Sequence, residues 1–188
     1  MKGIIINSSI RKYCISLVFL AFSVSPVIAA QNKYQDESVT FYYPSDWELS
    51  IVKERNLEIR LRPKNWLQIK ESSEYSMDDF ALYISLSSDN FSNVAKAAGF
   101  VLGGERWSIE GRQGAKGEIE EIKGKNWKGM LGEVPKGIFY KQGGYAGLGS
   151  ATTAILTDGK TSIVIIGEAL SDKEGEAILK SIEFVHKK

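Results

Sequence analysis

Two hydrophobic periodicities follow one another along this chain, and their order limits the possible folds more than any other feature of the sequence. Hydrophobic and polar residues alternate in the segments 47–53, 57–61 and 79–87, and residues 38–43 are largely β-branched or aromatic. A period of two residues predicts strands that bury one face and expose the other. Residues 31–37 are polar and are expected to be an irregular start.

Helical spacing follows the first set of strands, with apolar residues at i, i+3, i+4 and i+7: Phe91, Val94, Ala95 and Ala98. We expect Ser88 or Asp89 to cap the start of this helix, and Gly99 suits the left-handed residue after its end. A second helix is predicted near the C-terminus. There, Ser171 and Glu174 have the spacing of a capping box, in which each side chain satisfies a free backbone amide.

Glycine-containing turns divide the chain between the two helices. Six glycines lie between residues 106 and 134, and Gly124-Lys125-Asn126 is expected to form a hairpin turn. Asp158-Gly159 lies between two β-branched runs and is the strongest hairpin signal in the chain. The resulting order is meander, helix, meander, helix, with no strand–helix–strand alternation. It predicts one α+β domain over residues 31–188, built on an antiparallel β-sheet flanked by helices.

The first thirty residues have the pattern of a secretory signal peptide. Three basic residues and no acidic residue precede the apolar run 14–24, and small residues follow it up to Ala29 and Ala30. The apolar run has about 11 residues, whereas a span of the bilayer needs ~20. We therefore expect export to the periplasm, or secretion, with cleavage after Ala29 or Ala30. An uncleaved membrane anchor is the alternative.

Cleavage would change both the thiol content and the charge of the chain. The only cysteine, Cys14, lies in the removed segment, which excludes disulfides and thiol catalysis in the mature protein. The full chain has 24 basic and 23 acidic residues; the removed segment carries three of the basic ones, which leaves 21 against 23. A charge near −2 gives no electrostatic reason to bind nucleic acid or an anionic membrane.

Few catalytic or metal-binding side chains are available. The only histidine, His186, is third from the end of the chain, so nucleophile–histidine systems and zinc, copper or haem ligation are not expected. We predict no catalytic residue, cofactor or metal, and no enzymatic activity. A polar stretch contains four acidic residues that Ca²⁺ would accept as oxygen ligands, although a solvated loop fits them better: Glu71, Glu74, Asp78 and Asp79. A hydrolase that uses only carboxylates remains a further alternative.

Candidate contact residues come from aromatic side chains near polar or glycine-rich segments. The glycine-rich segment 143–149 has the wrong spacing for a phosphate-binding loop. It is interpreted as a flexible loop or a bulged strand, or as a protein-contact loop centred on Tyr145. Trp66 and Trp127 lie near polar or glycine-rich segments and are further candidate contact residues if they are partly exposed, although packing in the core or at a sheet edge is the role that we expect more. The segments 64–76 and 143–149 are the predicted contact loops.

Two short motifs resemble those of the PsbP-like and DcrB-like proteins. Phe41, Pro44 and Trp47 match the opening F-x-x-P-x-x-W of those proteins, and the ending 178–184 resembles their last helix with its S-I-x-F exit. The resemblance implies an antiparallel sheet with helices on both faces, an α/β/α sandwich. It also implies an assembly, chaperone or binding role more often than catalysis.

The functional hypothesis is an exported, non-catalytic protein that binds another protein. Its partner would be a secreted toxin that it neutralises as an immunity protein, or an envelope component that it assists as a chaperone-like factor. The alternative is a small-ligand or Ca²⁺-binding protein of envelope maintenance.

Overall fold

The computed structural model describes residues 30–53, 56–104, 106–111 and 116–186. The predicted signal peptide, apart from Ala30, lies outside the described residues. The strands are β1 (Gln31–Gln35), β2 (Val39–Pro44), β3 (Trp47–Lys53), β4 (Leu57–Pro63), β5 (Leu82–Ser87), β6 (Phe100–Gly103), β7 (Arg106–Glu110), β8 (Lys116–Lys123), β9 (Lys128–Phe139), β10 (Tyr145–Thr157), β11 (Ser162–Ile166) and β12 (Glu183–Phe184). The helices are α1 (Trp66–Ser72), α2 (Phe91–Ala97) and α3 (Lys173–Ser181), and a 3-10 helix covers Glu168–Ser171.

Two antiparallel sheets organise these elements. The larger sheet has nine strands in the order β3-β4-β5-β11-β10-β9-β8-β7-β6, and the smaller has three in the order β1-β2-β12. Every strand pair is antiparallel, as the alternating pattern and the hairpin turns predict. The predicted α+β class with an antiparallel sheet and flanking helices is confirmed.

Hydrophobic side chains are buried on both faces of the nine-stranded sheet. In β10, Ala154 and Leu156 belong to one core, and Ile155 between them belongs to the other. The first core is covered by α3 and the small sheet, and the second by α2 with Phe100. Successive side chains of a strand point to opposite faces, so this central strand separates two hydrophobic layers.

The polar residues 31–37 do not form an irregular start. Gln31–Gln35 is the edge strand of the small sheet and pairs with β2 throughout its length. Tyr34 stacks on Phe41 with 5.0 Å between ring centroids, and its hydroxyl donates to the Asp36 carboxylate at 2.9 Å. Backbone pairing with β2 and the ring of Tyr34 thus hold this polar strand against the core.

A clamp from the β8–β9 turn holds the end of the chain. The predicted turn forms, with Gly124 N–H donating to the Trp127 carbonyl at 3.0 Å. Asn126 Nδ2 donates to the Phe184 carbonyl at 2.7 Å, and its Oδ1 accepts from Phe184 N–H at 3.1 Å. The side-chain amide of Asn126 thus bonds to Phe184 as the backbone of a second neighbouring strand would, in addition to the pairing of β12 with β2.

Both predicted helix caps are wrong in detail. Asn90, and neither Ser88 nor Asp89, caps α2, its side chain accepting from Asn93 N–H at 2.9 Å. The capping box does not form, because Ser171 ends the 3-10 helix and donates to the Glu168 carbonyl. Gly99 has φ +89°, as predicted for the residue after a helix.

The Asp158-Gly159 hairpin forms with a longer loop than its sequence indicates. Thr157 pairs with Ser162, which leaves four residues in the loop. The Asp158 carboxylate accepts from Lys160 N–H and Thr161 N–H at 2.8 and 2.7 Å, and Gly159 has φ +92°. The aspartate therefore shapes the loop through its side chain.

Candidate functional site

The hairpin of β9 and β10 extends beyond the strands on either side of it. β8 pairs with β9 only as far as Glu133, and β11 pairs with β10 only from Thr153 onward. Beyond these points, residues 134–139 and 145–151 pair with each other as a two-stranded ribbon. At about 3.3 Å per residue, six residues of ribbon are ~20 Å long. We call residues 134–151 the ribbon.

One face of the ribbon is apolar and exposed. Phe139, Tyr145 and Leu148 retain 53%, 58% and 74% of their accessible surface. The register places Tyr145 opposite Phe139 and Leu148 opposite Gly137, which puts these positions on one face. The Phe139 and Tyr145 rings meet edge to face, 5.9 Å apart. We call Phe139, Tyr145 and Leu148 the apolar ribbon face.

Two local features create this face. A register shift between Tyr145 and Gly147 marks a bulge, without which residues 145 and 148 would point to opposite sides of the strand. Gly137 leaves space for the two rings, since a Cβ atom there would lie 3.1 Å from the Phe139 ring and 3.5 Å from the Tyr145 ring. The bulged strand that was one interpretation of segment 143–149 is therefore present.

The tip of the ribbon is attached to the segment after α1. Ser76 N–H donates to the Phe139 carbonyl at 2.8 Å, and Lys141 N–H donates to the Glu74 carbonyl at 3.0 Å. Tyr75 stacks on Tyr140 with 5.6 Å between ring centroids. These contacts bring the predicted contact segment 64–76 beside the hairpin that carries the other predicted segment, 143–149.

The ammonium group of Lys141 adds a second attachment. Its Nζ donates to the carbonyls of Lys70 and Glu71 at the end of α1, the latter at 3.0 Å. A positive charge is favourable at a helix C-terminus, where carbonyl groups lack partners. The ribbon, despite its many glycines, is therefore held in place at its far end.

An open cleft of about 500 Å³ lies beside this attachment and is lined by Glu71, Ser73, Glu74, Tyr140, Lys141, Gln142 and Gly143. Asp79, another member of the acidic stretch, bonds to Lys70 at 2.6 Å, and this hydrogen bond and the lysine charge lower its pKa. Among the described residues, no three His, Cys, Asp or Glu side chains are grouped so as to hold a metal ion.

Trp66 and Trp127 are buried, which agrees with the expected packing role and removes them as candidate contact residues. They retain 8% and 6% of their surface. Trp66 Nε1 donates to the Asp78 carbonyl at 3.0 Å, and Trp127 Nε1 donates to the Ile182 carbonyl at 2.7 Å. The glycine beside Trp127 makes room for its ring, because a Cβ at Gly124 would lie 2.1 Å from the indole. A neighbouring glycine therefore marks close packing here.

Of the three predicted contact residues, the structure leaves only Tyr145 exposed. Sequence reasoning missed Phe139 and Leu148 as its neighbours. One sign of an apolar surface was present in the sequence, namely the scarcity of charge: Lys141 is the only charged residue between positions 137 and 157. His186, expected at a frayed end, has its Nδ1 3.6 Å from Oδ2 of the nearly buried Asp158 carboxylate.

The fold and the ribbon together define the class of protein: an antiparallel α+β sheet protein with an exposed apolar hairpin. Within the described part of the chain, no helix is both long and apolar enough to cross a membrane.

Comparison with solved structures shows a distant similarity of fold. The chain is similar to cyanobacterial PsbP (CyanoP) from Synechocystis sp. PCC 6803, with a TM-score of 0.39 and 12% sequence identity over 86% of this chain and 97% of that chain. This is the same resemblance, to PsbP-like proteins, that the sequence motifs gave, and it is weak. No protein-family model and no curated protein matches the chain.

Proposed function

We propose that this chain is an exported, periplasmic, non-catalytic protein that binds another protein through the apolar ribbon face. The observation that carries the proposal is that Phe139, Tyr145 and Leu148 lie together, each more than half exposed. Contiguous exposed apolar side chains on a folded domain mark interaction sites, whereas isolated ones do not. Tyrosine is also among the residues that dominate binding energies at interfaces.

The attachment of the ribbon tip to the rest of the domain supports a role of the apolar ribbon face in binding a protein. The two backbone bonds to residues 74–76 and the Lys141 ammonium group fix the tip before any partner arrives. Ordering a loop on binding costs affinity, and a surface that is already ordered avoids that cost.

The partner class follows from the expected export. A protein outside the cytoplasm that presents a rigid apolar hairpin is suited to occlude the cleft of a secreted toxin, as an immunity protein does, or to hold an envelope component. The uncharged apolar ribbon face favours a partner surface that is itself apolar, because a charged surface would lose hydration there without gaining an ion pair.

Affinity capture tests the proposal. Tagged mature protein, Gln31 to Lys188, is exposed to envelope and secreted fractions, and bound proteins are identified by mass spectrometry. We expect one stoichiometric partner, whose affinity falls at least ~30-fold with Tyr145→Ala, as for a hot-spot residue worth ~2 kcal/mol. Ile51→Ala is the matched control, because Ile51 is 45% exposed but lies on β3, away from the ribbon.

Two outcomes of the affinity capture would contradict the proposal, each in a different way. A partner whose binding is unaffected by Tyr145→Ala and by Leu148→Ala would show that the ribbon is not the contact surface. Capture of no protein at micromolar concentration would overturn the proposal. The location has its own test: the N-terminal residue of protein recovered from the periplasm should be Ala30 or Gln31.

A small-ligand function is the second candidate, and the cleft at the ribbon tip favours it. Its lining mixes carboxylates, a lysine and a tyrosine hydroxyl around a volume large enough for a small polar molecule. Calorimetry with Ca²⁺ and with cell-wall fragments tests it, since heat that disappears with Glu74→Gln would locate binding in this cleft.

A further inference from the structure

Three carboxylates lie on the same side of the large sheet as the apolar ribbon face. β9 is regular along its length, because the bulge of the ribbon lies in β10. Side chains two residues apart on a strand point to the same side, so Glu133 points to the same side as Phe139. The register of β8 places Glu118 directly opposite Glu133, and Glu120 follows two residues further along β8. We call Glu118, Glu120 and Glu133 the acidic row.

No ion pair neutralises the acidic row within the described part of the chain. All three side chains are exposed, and none of them pairs with a described lysine or arginine. The β8 lysine on this side of the sheet, Lys116, lies opposite Glu110. Like charges directly opposite one another destabilise a sheet, so the Glu118–Glu133 pair costs the domain stability. Unfavourable local arrangements of this kind are expected at functional sites.

The acidic row and the apolar ribbon face are close enough for one partner to cover both. Glu133 and Gly137 are four residues apart on β9, which corresponds to ~13 Å. Pro135 lies between them on the same side and is exposed, as are Glu133 and Phe139. A standard protein interface buries ~800 Å² on each partner, which is a patch ~30 Å across. Both surfaces therefore fit within one interface.

We infer that the partner of the apolar ribbon face is a protein whose apolar patch is flanked by lysine or arginine side chains, which meet the acidic row. The inference rests on the proposed function, since it names the chemistry of the partner at the same surface. Carboxylates that lack a cation in the free protein gain one in the complex, which relieves the repulsion between Glu118 and Glu133. Charge complementarity of this kind mainly speeds association and discriminates against acidic partners.

Panning a random peptide library on phage against immobilised mature protein tests the inference before any natural partner is identified. Enriched sequences are synthesised as peptides, and their binding is measured by calorimetry. We expect peptides that combine lysine or arginine with aromatic or leucine side chains. Their affinity should fall ~3–10-fold when Glu118→Gln and Glu133→Gln are combined, because each exposed ion pair contributes modestly. Raising the salt concentration from about 0.05 to 0.5 M should weaken binding to wild type more than binding to this double variant.

Glu121→Gln is the matched control for the loss of one carboxylate. Glu121 is exposed on the same strand, but it lies opposite Met130 and points to the other side of the sheet. Peptide affinity should be unchanged in this variant. Urea unfolding gives a second measurement that needs no ligand and verifies that each variant is folded. Glu118→Gln and Glu133→Gln should each raise the urea midpoint by removing repulsion, and Glu121→Gln should not.

Several results would overturn the inference. Enriched peptides without basic residues, peptides that bind the double variant as tightly as wild type, and a library that enriches no peptide would each do so. An unchanged urea midpoint in both carboxylate variants would also do so, because the acidic row would then carry no repulsion for a partner to relieve.

Tyr145→Ala distinguishes failure of the inference from failure of the proposed function. Apolar peptides that no longer bind this variant would support the apolar ribbon face as the contact surface and overturn only the basic partner. Basic peptides that lose affinity both in this variant and in the double variant would support the two proposals together. Peptides that bind Tyr145→Ala as tightly as wild type would contradict both.

Discussion

Replacing Asn126 with alanine tests whether the β8–β9 turn holds the C-terminal strand. The side-chain amide makes two hydrogen bonds to the backbone of Phe184, at 2.7 and 3.1 Å. Alanine removes both and leaves the Phe184 N–H and carbonyl without these partners. The backbone of the turn is unaffected, because its own bond joins Gly124 and Trp127.

The size of the effect follows from the number of bonds lost. A neutral hydrogen bond contributes about 1 kcal/mol net, so two amount to ~2 kcal/mol of the free energy of unfolding. In a domain of this size, that loss lowers the melting temperature by ~4–8 °C. Lys125→Ala is the matched control from the same turn. It removes only an exposed ion pair with Glu183, at 3.1 Å, which contributes less than ~1 kcal/mol.

Urea unfolding followed by tryptophan fluorescence gives both free energies, and amide exchange at Phe184 reports on the local effect. We expect the amide of Phe184 to lose protection in Asn126→Ala and to keep it in Lys125→Ala. If the two variants lose equal stability, or if Asn126→Ala stays within ~0.5 kcal/mol of wild type, the clamp does not hold β12.

Four further substitutions test the packing of the domain and the ionisation of Tyr34, each measured by urea unfolding. Gly175→Ala should lower the free energy of unfolding by ~1–3 kcal/mol despite the better helix propensity of alanine, because its Cβ would lie 1.9 Å from the Ala169 carbonyl oxygen. Gly147→Ala is the matched control: nothing lies within 4 Å of its Cβ, so the free energy of unfolding should change by less than ~0.5 kcal/mol. Ile178→Ala, at a core position with 1% exposure, should lose ~2–5 kcal/mol. Burial, together with the neighbouring Asp36 carboxylate, raises the pKa of the Tyr34 hydroxyl, so near pH 10 Tyr34 ionises in the unfolded chain while it stays protonated in the folded one. The free energy of unfolding should therefore be constant below that pH and fall above it. In Tyr34→Phe the fall should be shallower.

Hydrophobic periodicity predicted the strands and helices that bury one face of their own side chains. β3 and α2 lie where the alternating and helical patterns place them, because one face of each is buried. β1 and β12 were not foreseen. The first is polar and the second has two residues, and each exists because β2 offers a partner. Pairing with a distant strand leaves no periodic signal in so short a segment.

The candidate site was only partly predictable for a related reason. Tyr145 stood out because it lies among glycines, but its grouping with Phe139 and Leu148 depends on a bulge and on the register between two strands. Contact remained open for Trp66 and Trp127 because sequence neighbours indicate only local polarity, whereas burial depends on segments far along the chain. The Trp127 indole bonds to Ile182, 55 residues away.

The small sheet can be completed only after nearly the whole chain has emerged. β2 receives β12 as its neighbour, and Ser181 accepts a hydrogen bond from Tyr42 N–H across 139 residues of chain. A chain that emerges from its N-terminus, whether from a ribosome or through a membrane channel, therefore cannot complete this sheet until Phe184 is free. Contacts so distant in sequence also form slowly. The pairing of β12 with β2 is therefore among the last contacts that the chain can make.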